Sequence, residues 1–480
     1  MNTLELRQLF GAGAQLFRQR RFEEACRVFQ RATALAPGSA SAWCNLAAAY
    51  IELRQPEQAL AAADRAIALD PGFAPAHANR GDALRLAKRD LKLCRDAYRR
   101  AVELQPRSPD LLNKLGTTLQ AMGELDEAGR LFAQALELAP DYRLARLNYG
   151  CVLVLQGETQ RAREIALQGA VLAGGDEMRR REFGDAVEII DRNAALQPLL
   201  DEALARRSPL AFVTNPRARP RGAAGHDATL AACVTGCLAR LSGDAPGHSR
   251  IEGVPDMLSD MLEAHFSAHL GEDAADVRAT LAFLCEHGTH GRDALPAVTD
   301  AKLRDAHNYY GAIRHHREVC GAAECDADNV VAWLRYWHAF LTAHRREMSP
   351  GQLKAFPNSV IVNPDVERTA PGLVEGTLEH VYANAGPALA RGAARAALVY
   401  YVIADVHPFV DGNGRLGRFL MNRELAAAGL APVVTPRSHK VPFTGVLAAI
   451  RRDHDLGPFV AWLASCDAWT RGMRNEISGG

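Results

Sequence analysis

The 480-residue sequence has no run of about 18 apolar residues and no charged-then-apolar opening, so nothing in it asks for a membrane span or Sec export. It has no surplus charge of one sign. Lys plus Arg and Asp plus Glu both number 56, and bulk electrostatics therefore argue for neither nucleic acid nor an acidic membrane as partner. It has ten cysteines but no Cys-x-x-Cys pair, which fits reduced thiols in a cytoplasmic setting, used mostly as small buried side chains. Aromatic residues are few at 6%, whereas Ala is abundant, and 48% of the chain is hydrophobic and 23% charged. That is the composition of a globular, mostly α-helical chain, long enough for two or three domains with cores of their own.

What is present first is a period. Pro37, Pro71, Pro106 and Pro140 stand 34, 35 and 34 residues apart, each closing a helical run that ends Ala-Leu-Ala, Ala-Leu-Asp, Glu-Leu-Gln or Glu-Leu-Ala. Ala32, Ala66, Ala101 and Ala135 repeat in step, and Asn45, Asn79, Asn113 and Asn148 nearly so. A period near 34 residues with two helices per unit resembles the tetratricopeptide repeat, in which small residues let paired helices approach closely. Residues 1–172 are therefore expected to form a tetratricopeptide α-solenoid of about four repeats plus a partial one. The resemblance implies a groove for peptides or partner proteins and names no partner.

From 173 to 228 the period is lost. Helical segments continue to about Arg207, and then Pro209, Pro216, Pro220 and Gly222 interrupt, with Arg217, Arg219 and Arg221 between them. Three arginines without aromatic partners read as a solvated linker rather than a nucleic-acid surface.

The densest chemistry lies in His407-Pro-Phe-Val-Asp-Gly-Asn-Gly-Arg-Leu-Gly-Arg418. Residues 391–406 read as a buried helix that Pro408 ends, which leaves His407 at the helix exit. Residues 415–428 read as a second helix closed by Gly429. Between them Gly412 and Gly414 are expected to take positive φ, so that their amides and that of Asn413 converge as an anion nest at a helix N-terminus. Arg415 and Arg418, three apart on one helix, can grip successive phosphates. Asp411 is a hard oxygen ligand suited to Mg²⁺ beside phosphates. His407 can accept a proton near neutral pH. Together these residues describe a nucleotidyl or phosphoryl transfer site.

This stretch resembles the Fic family signature, His-Pro-Phe-x-(Asp/Glu)-Gly-Asn-Gly-Arg-x-x-Arg, at every fixed position. Phe419-Leu-Met-Asn422 also looks like the enzymes that couple a Fic domain to helical repeats, which adds Asn422 to the expected nucleotide contacts. The resemblance implies an all-α Fic domain over about 229–475 with a short β-hairpin flap. It implies a protein adenylyltransferase that moves AMP from ATP, with Mg²⁺, to a Ser, Thr or Tyr hydroxyl of a target protein; a homodimer is compatible with it. His248-Ser-Arg-Ile-Glu-Gly253 resembles the family's inhibitory motif, with His248 departing from the usual Ser or Thr. The resemblance makes Glu252 a competitor for Arg418, compatible also with AMP removal. Residues 356–369, with Val360, Ile361 and Val362, resemble the flap in position, where strand pairing would align the target. UMP, phosphate or phosphocholine transfer stays open, as does a tetratricopeptide scaffold whose catalytic domain is silenced.

Other clusters carry less. His287 with His290, and His315 and His316 with Cys320 and Cys325, lack the second ligand pair of a structural zinc site. Cys233 and Cys237 read as core. So do Trp333, Leu334, Trp337, Phe340 and Leu341, at helical spacing.

Overall fold

The computed structural model describes residues 2–87, 89–219, 225–243, 256–268, 274–288, 295, 300–319, 325–345, 348–357, 368–436 and 440–478. They fall into two compact units, Met1–Gly184 and Asp185–Pro357 with Arg368–Gly480. Among the described residues there is no strand, only one isolated antiparallel bridge between Leu353 and Phe409. The inhibitory motif with Glu252 and the flap residues Val360, Ile361 and Val362 lie outside the described residues.

The first unit is a series of antiparallel helix pairs: α1 (Asn2–Arg18) with α2 (Phe22–Leu35), α3 (Ala40–Glu52) with α4 (Pro56–Leu69), α5 (Ala74–Leu86) with α6 (Leu91–Leu104), α7 (Pro109–Ala121) with α8 (Leu125–Leu138), and α9 (Arg143–Leu155) with α10 (Thr159–Leu172). The periodic alanines explain the pairing. Ala32, Ala66, Ala101 and Ala135 are all fully buried. Glycines do the rest: a Cβ on Gly81 would stand 2.6 Å from the Tyr98 ring, and one on Gly116 2.8 Å from Phe132. The asparagine register joins neighbouring pairs, Asn79 Nδ2 donating to the Cys44 carbonyl and Asn148 Nδ2 to Asn113 Oδ1, each at 2.8 Å. Ser39 and Ser108 cap helix N-termini through their side chains, and Pro56 and Pro109 occupy first-turn positions where no amide donor is missed.

The second unit holds α11 (Glu177–Ala205, from Asp185 on), α12 (Pro209–Val213), α13 (Ala228–Gly243), α14 (Met257–Ser267), α15 (Ala274–His287), α16 (Ala301–Val319), α17 (Val330–Thr342), α18 (Val374–Ala388), α19 (Ala393–Val406), α20 (Asn413–Ala427), α21 (Lys440–Asp453) and α22 (Gly457–Ser478). Every residue of α17 is buried. Its Trp337 packs against Phe419 of α20 with ring centroids 5.1 Å apart. Part of the stretch that reads from sequence as linker contributes to this core: Leu196, Leu200, Phe212, Val213 and Ala218 are all buried in it. Asn193 of α11 bonds the Leu353 backbone in both directions, at 2.8 and 3.2 Å. Gly417 lets α19 and α20 approach, since a Cβ there would lie 3.3 Å from the Tyr400 ring. The loop between those two helices carries the signature.

Candidate active site

His407 is the C-cap of α19, with φ 52° and ψ 60°, a left-handed conformation costly for a residue with a Cβ. Pro408 makes continuation of the helix unfavourable, so the chain turns there. The ring is largely enclosed. Burial, and then the charges of Arg368 and Lys354, push its pKa down to about 3. At neutral pH it is therefore unprotonated and able to accept a proton. Its Nδ1 lies buried without a hydrogen-bond partner among the described residues, while Arg368 Nη1 donates to the nearby Ala404 carbonyl at 2.6 Å. Lys354, 1% exposed, donates from Nζ to the Val406 carbonyl at 3.1 Å. Burial lowers this lysine to about 7, with Arg368 adding to the effect.

The loop beyond is closed by its own asparagine. Asn413 Nδ2 donates to the Phe409 carbonyl at 2.8 Å, and its Oδ1 accepts from the Phe409 amide at 3.0 Å. Its side chain thus holds the loop, and its backbone amide joins those of Gly414 and Arg415 in the first turn of α20, where helical geometry leaves amides free for an anion. Of the two glycines expected at positive φ, only Gly412 has it, at 81°. Gly414 lies inside α20, which begins at Asn413 rather than Arg415. The expectation for Gly414 is corrected because the helix starts two residues early.

Gly412 is required on a second count. A Cβ there would stand 2.7 Å from His338 Nε2 and 3.1 Å from Thr342 Cγ2. His338 sits on α17, which hydrophobic spacing marks only as a core helix, and yet its task is polar. Nδ1 accepts from the Gly351 amide at 2.9 Å and Nε2 bonds the Asp411 carbonyl at 2.8 Å. Burial lowers its pKa to about 3, so the ring is neutral, and an accepting Nδ1 leaves Nε2 as the donor. The ring also stacks on Phe409 at 3.9 Å. One buried side chain thereby ties the 409–412 loop to the 349–353 turn.

Arg415 makes a bidentate pair with Asp305 of α16, both contacts at 3.0 Å. Asp305 also accepts from Arg345 Nη2 at 2.9 Å, and His344 Nε2 lies 2.8 Å away. Burial opposes its ionisation, but the bonds from His344 and Arg345 and the charge of Arg415 prevail and hold it at about 2. Arg418 donates from Nη2 to the Ser267 carbonyl at 3.4 Å and also engages the Tyr400 side chain, while its Nε is buried without a partner among the described residues. Asp411 is exposed, with Oδ1 accepting from the Gly412 amide at 2.6 Å. Asn422, expected among the nucleotide contacts, is 1% exposed, and its amide bonds the Val433 backbone in both directions, at 3.0 and 2.9 Å.

Residues 328–425 match the sequence profile of the Fic/DOC family. Tetratricopeptide repeat profiles match residues 6–49, 40–73 and 113–177. The chain carries a Fic domain behind tetratricopeptide repeats. Proteins named protein adenylyltransferase Fic from Drosophila virilis and Drosophila melanogaster are each 42% identical to it over 71 residues, 15% of this chain and 14% of theirs. The match thus spans about a seventh of those relatives' length. Among solved structures, the MamA protein aligns over 35% of this chain and 92% of its own, at 20% identity and a TM-score of 0.31.

Within the Fic domain the structure brings together His407, Asp411, Gly412, Asn413, Gly414, Arg415 and Arg418. It adds His338, Asp305, Arg345, Lys354 and Arg368, none of which the signature contains. No local pattern marks them, because each acts on the loop from a distant part of the chain. His338 and Asp411 are 73 residues apart, and Asp305 and Arg415 are 110 apart.

Proposed function

We propose that this chain is an ATP-dependent protein adenylyltransferase. The reading rests on one juxtaposition: an unprotonated, largely enclosed His407 at the end of α19, and immediately after it a helix N-terminus followed within two turns by Arg415 and Arg418. The first-turn amides of α20 receive phosphate oxygens. Arg415, Arg418 and the helix dipole offset the charge that builds as the leaving group departs. His407 Nε2 takes the proton of a target Ser, Thr or Tyr hydroxyl. The new O–P bond forms at the α-phosphorus, the bridge to the β-phosphate breaks, and pyrophosphate leaves with the electron pair.

Mg²⁺ fits the residues present. Asp411 is an exposed carboxylate at the phosphate loop, and no group of three or more His, Cys, Asp or Glu side chains is placed for a metal among the described residues. An ion here would rest on Asp411 and on the substrate's phosphates, as Mg²⁺ commonly does. When bound it would supply charge neutralisation at those phosphates.

Glu252 is proposed as the inhibitory residue, with Arg418 as its target. Arg418 supports this as the one arginine of the signature without a carboxylate partner among the described residues. Val360, Ile361 and Val362 are proposed to align the target by strand pairing. The division of labour proposed is an array for protein partners over 1–172 and catalysis over 229–475, with the stretch from Asp185 to Arg219 packed into the catalytic unit rather than serving only as connection. The nine free cysteines among the described residues fit a reducing, cytoplasmic setting.

The test is to label a cell lysate with tagged ATP, using the Glu252→Gly form and the same form carrying His407→Ala. Expected are labelled proteins with the first and none with the second. Absence of any labelling by Glu252→Gly, itself included, would leave a scaffold with a silenced domain.

A further inference from the structure

The sequence signature provides two arginines for phosphate, but the structure gathers three. Arg345 lies just beyond α17, outside the signature, and shares the Asp305 carboxylate with Arg415: Arg345 Nη2 lies 2.9 Å from Oδ2, and Arg415 Nη2 3.0 Å from the same oxygen. Two guanidiniums on one oxygen are necessarily close neighbours. Arg415 accordingly feels repulsion from both Arg345 and Arg418 and attraction from Asp411. Asp305 is 2% exposed, so it faces the cluster rather than solvent and cannot turn away to leave the arginines unscreened. Arg345 keeps a quarter of its side chain exposed.

The charges can be counted. The guanidiniums of Arg345, Arg415 and Arg418 against the carboxylates of Asp305 and Asp411 leave one positive charge beside the phosphate loop, and without Arg345 they leave none. A nucleotide at the first turn of α20 draws on the amides and the signature arginines, and each added phosphate brings charge that a further cation helps to offset. Asp305 fixes the fork of Arg415 through two bonds and draws Arg345 to the same place, which pre-orients both before a ligand arrives.

We infer that Arg345 is a donor-binding residue that recognises the terminal phosphate of a nucleoside triphosphate, with Asp305 as its positioning residue. This rests on the nucleotide-transfer reading above and narrows it: donors with a triphosphate are favoured over those with a diphosphate ester, such as a nucleoside diphosphate linked to an alcohol.

The experiment measures equilibrium binding of MgATP and MgADP by calorimetry to the full chain carrying Glu252→Gly, and to that form with Arg345→Gln or Arg345→Lys. In the parent, ATP binds more tightly than ADP. Arg345→Gln is expected to weaken ATP roughly tenfold, the scale of one charge-assisted hydrogen bond, and to leave ADP within about twofold; Arg345→Lys recovers part of the ATP affinity. Unchanged ATP affinity in Arg345→Gln, or equal loss for both nucleotides, overturns the role of Arg345. If the parent binds neither nucleotide, the transfer reading itself fails, an outcome separate from the first two. Because the readout is binding, none of these outcomes depends on finding the target protein. Unchanged melting temperatures across the variants establish that the comparison is between folded proteins.

Discussion

His338 and Asp411 are joined by a 2.8 Å hydrogen bond from a buried imidazole to a backbone carbonyl, while the other ring nitrogen accepts from Gly351 at 2.9 Å. A single neutral tautomer satisfies both. His338→Leu would leave the buried Gly351 amide without a partner, at about 1–3 kcal/mol, and would free the part-buried Asp411 carbonyl from its tie to α17. Denaturant unfolding should show the loss, and labelling activity should fall with it. His338→Gln, which keeps a donor and an acceptor, should recover part of both.

The two glycines of the loop should respond differently. Gly412→Ala places a Cβ at positive φ and 2.7 Å from His338 Nε2, for an expected loss of about 1–3 kcal/mol and of transfer activity. Gly414 is helical, and its Cβ would meet nothing closer than Arg418 Nη1 at 3.5 Å. Gly414→Ala should leave stability unchanged or raise it by up to ~1 kcal/mol. Equal destabilisation by both substitutions would contradict the described start of α20.

Stability should depend on acid in a defined window. His407, His338 and His316 are each held down to about 3, and His315 to about 4, in every case chiefly by burial. The unfolded chain takes up these protons near pH 6.5 and the folded chain does not. The stability contributed is therefore complete above about pH 6.5 and is lost as pH falls toward 4 and 3, at up to ~1.4 kcal/mol per pH unit for each ring. Lys354, lowered from 10.5 to about 7, acts in the same sense in a higher window, its contribution growing as pH rises from 7 to 10.5. Denaturant midpoints from pH 4 to 10 check this; a flat profile between 4 and 6.5 contradicts the burial of these histidines.

Glu263 and Arg423 form a buried pair at 2.6 Å, with side chains 1% and 5% exposed, and Tyr309 donates to the same carboxylate at 2.8 Å. Removing one partner strands the other. Glu263→Leu should cost about 3–5 kcal/mol, and Glu263→Leu with Arg423→Met distinctly less, because no unpaired charge remains. A double-mutant cycle measured by chemical denaturation decides it.

The repeats are legible in the sequence because their information is local: the alanine and proline period sets helix length, and Ala32, Ala66, Ala101 and Ala135 are buried as the period implies. The signature is legible for the same reason, its residues being neighbours in sequence. Local sequence points to positive φ at both glycines although only Gly412 takes it, since the start of α20 is fixed partly by Asn413 closing on Phe409 and by His338 reaching in from α17. Hydrophobic spacing marks α17 as core and is silent on a histidine with polar partners inside it. Asn422 carries a motif resemblance, and its side-chain amide bonds the Val433 backbone, a contact no local pattern announces.

Lys354 and Arg368 grip carbonyls two residues apart at the end of α19, Val406 and Ala404, and the Lys354 amide also donates to the Pro408 carbonyl at 2.9 Å. Both residues are thereby tied to the backbone immediately around His407. The turn that carries His407 is thus clamped from outside its own helix, so its left-handed backbone does not rest on the signature residues alone.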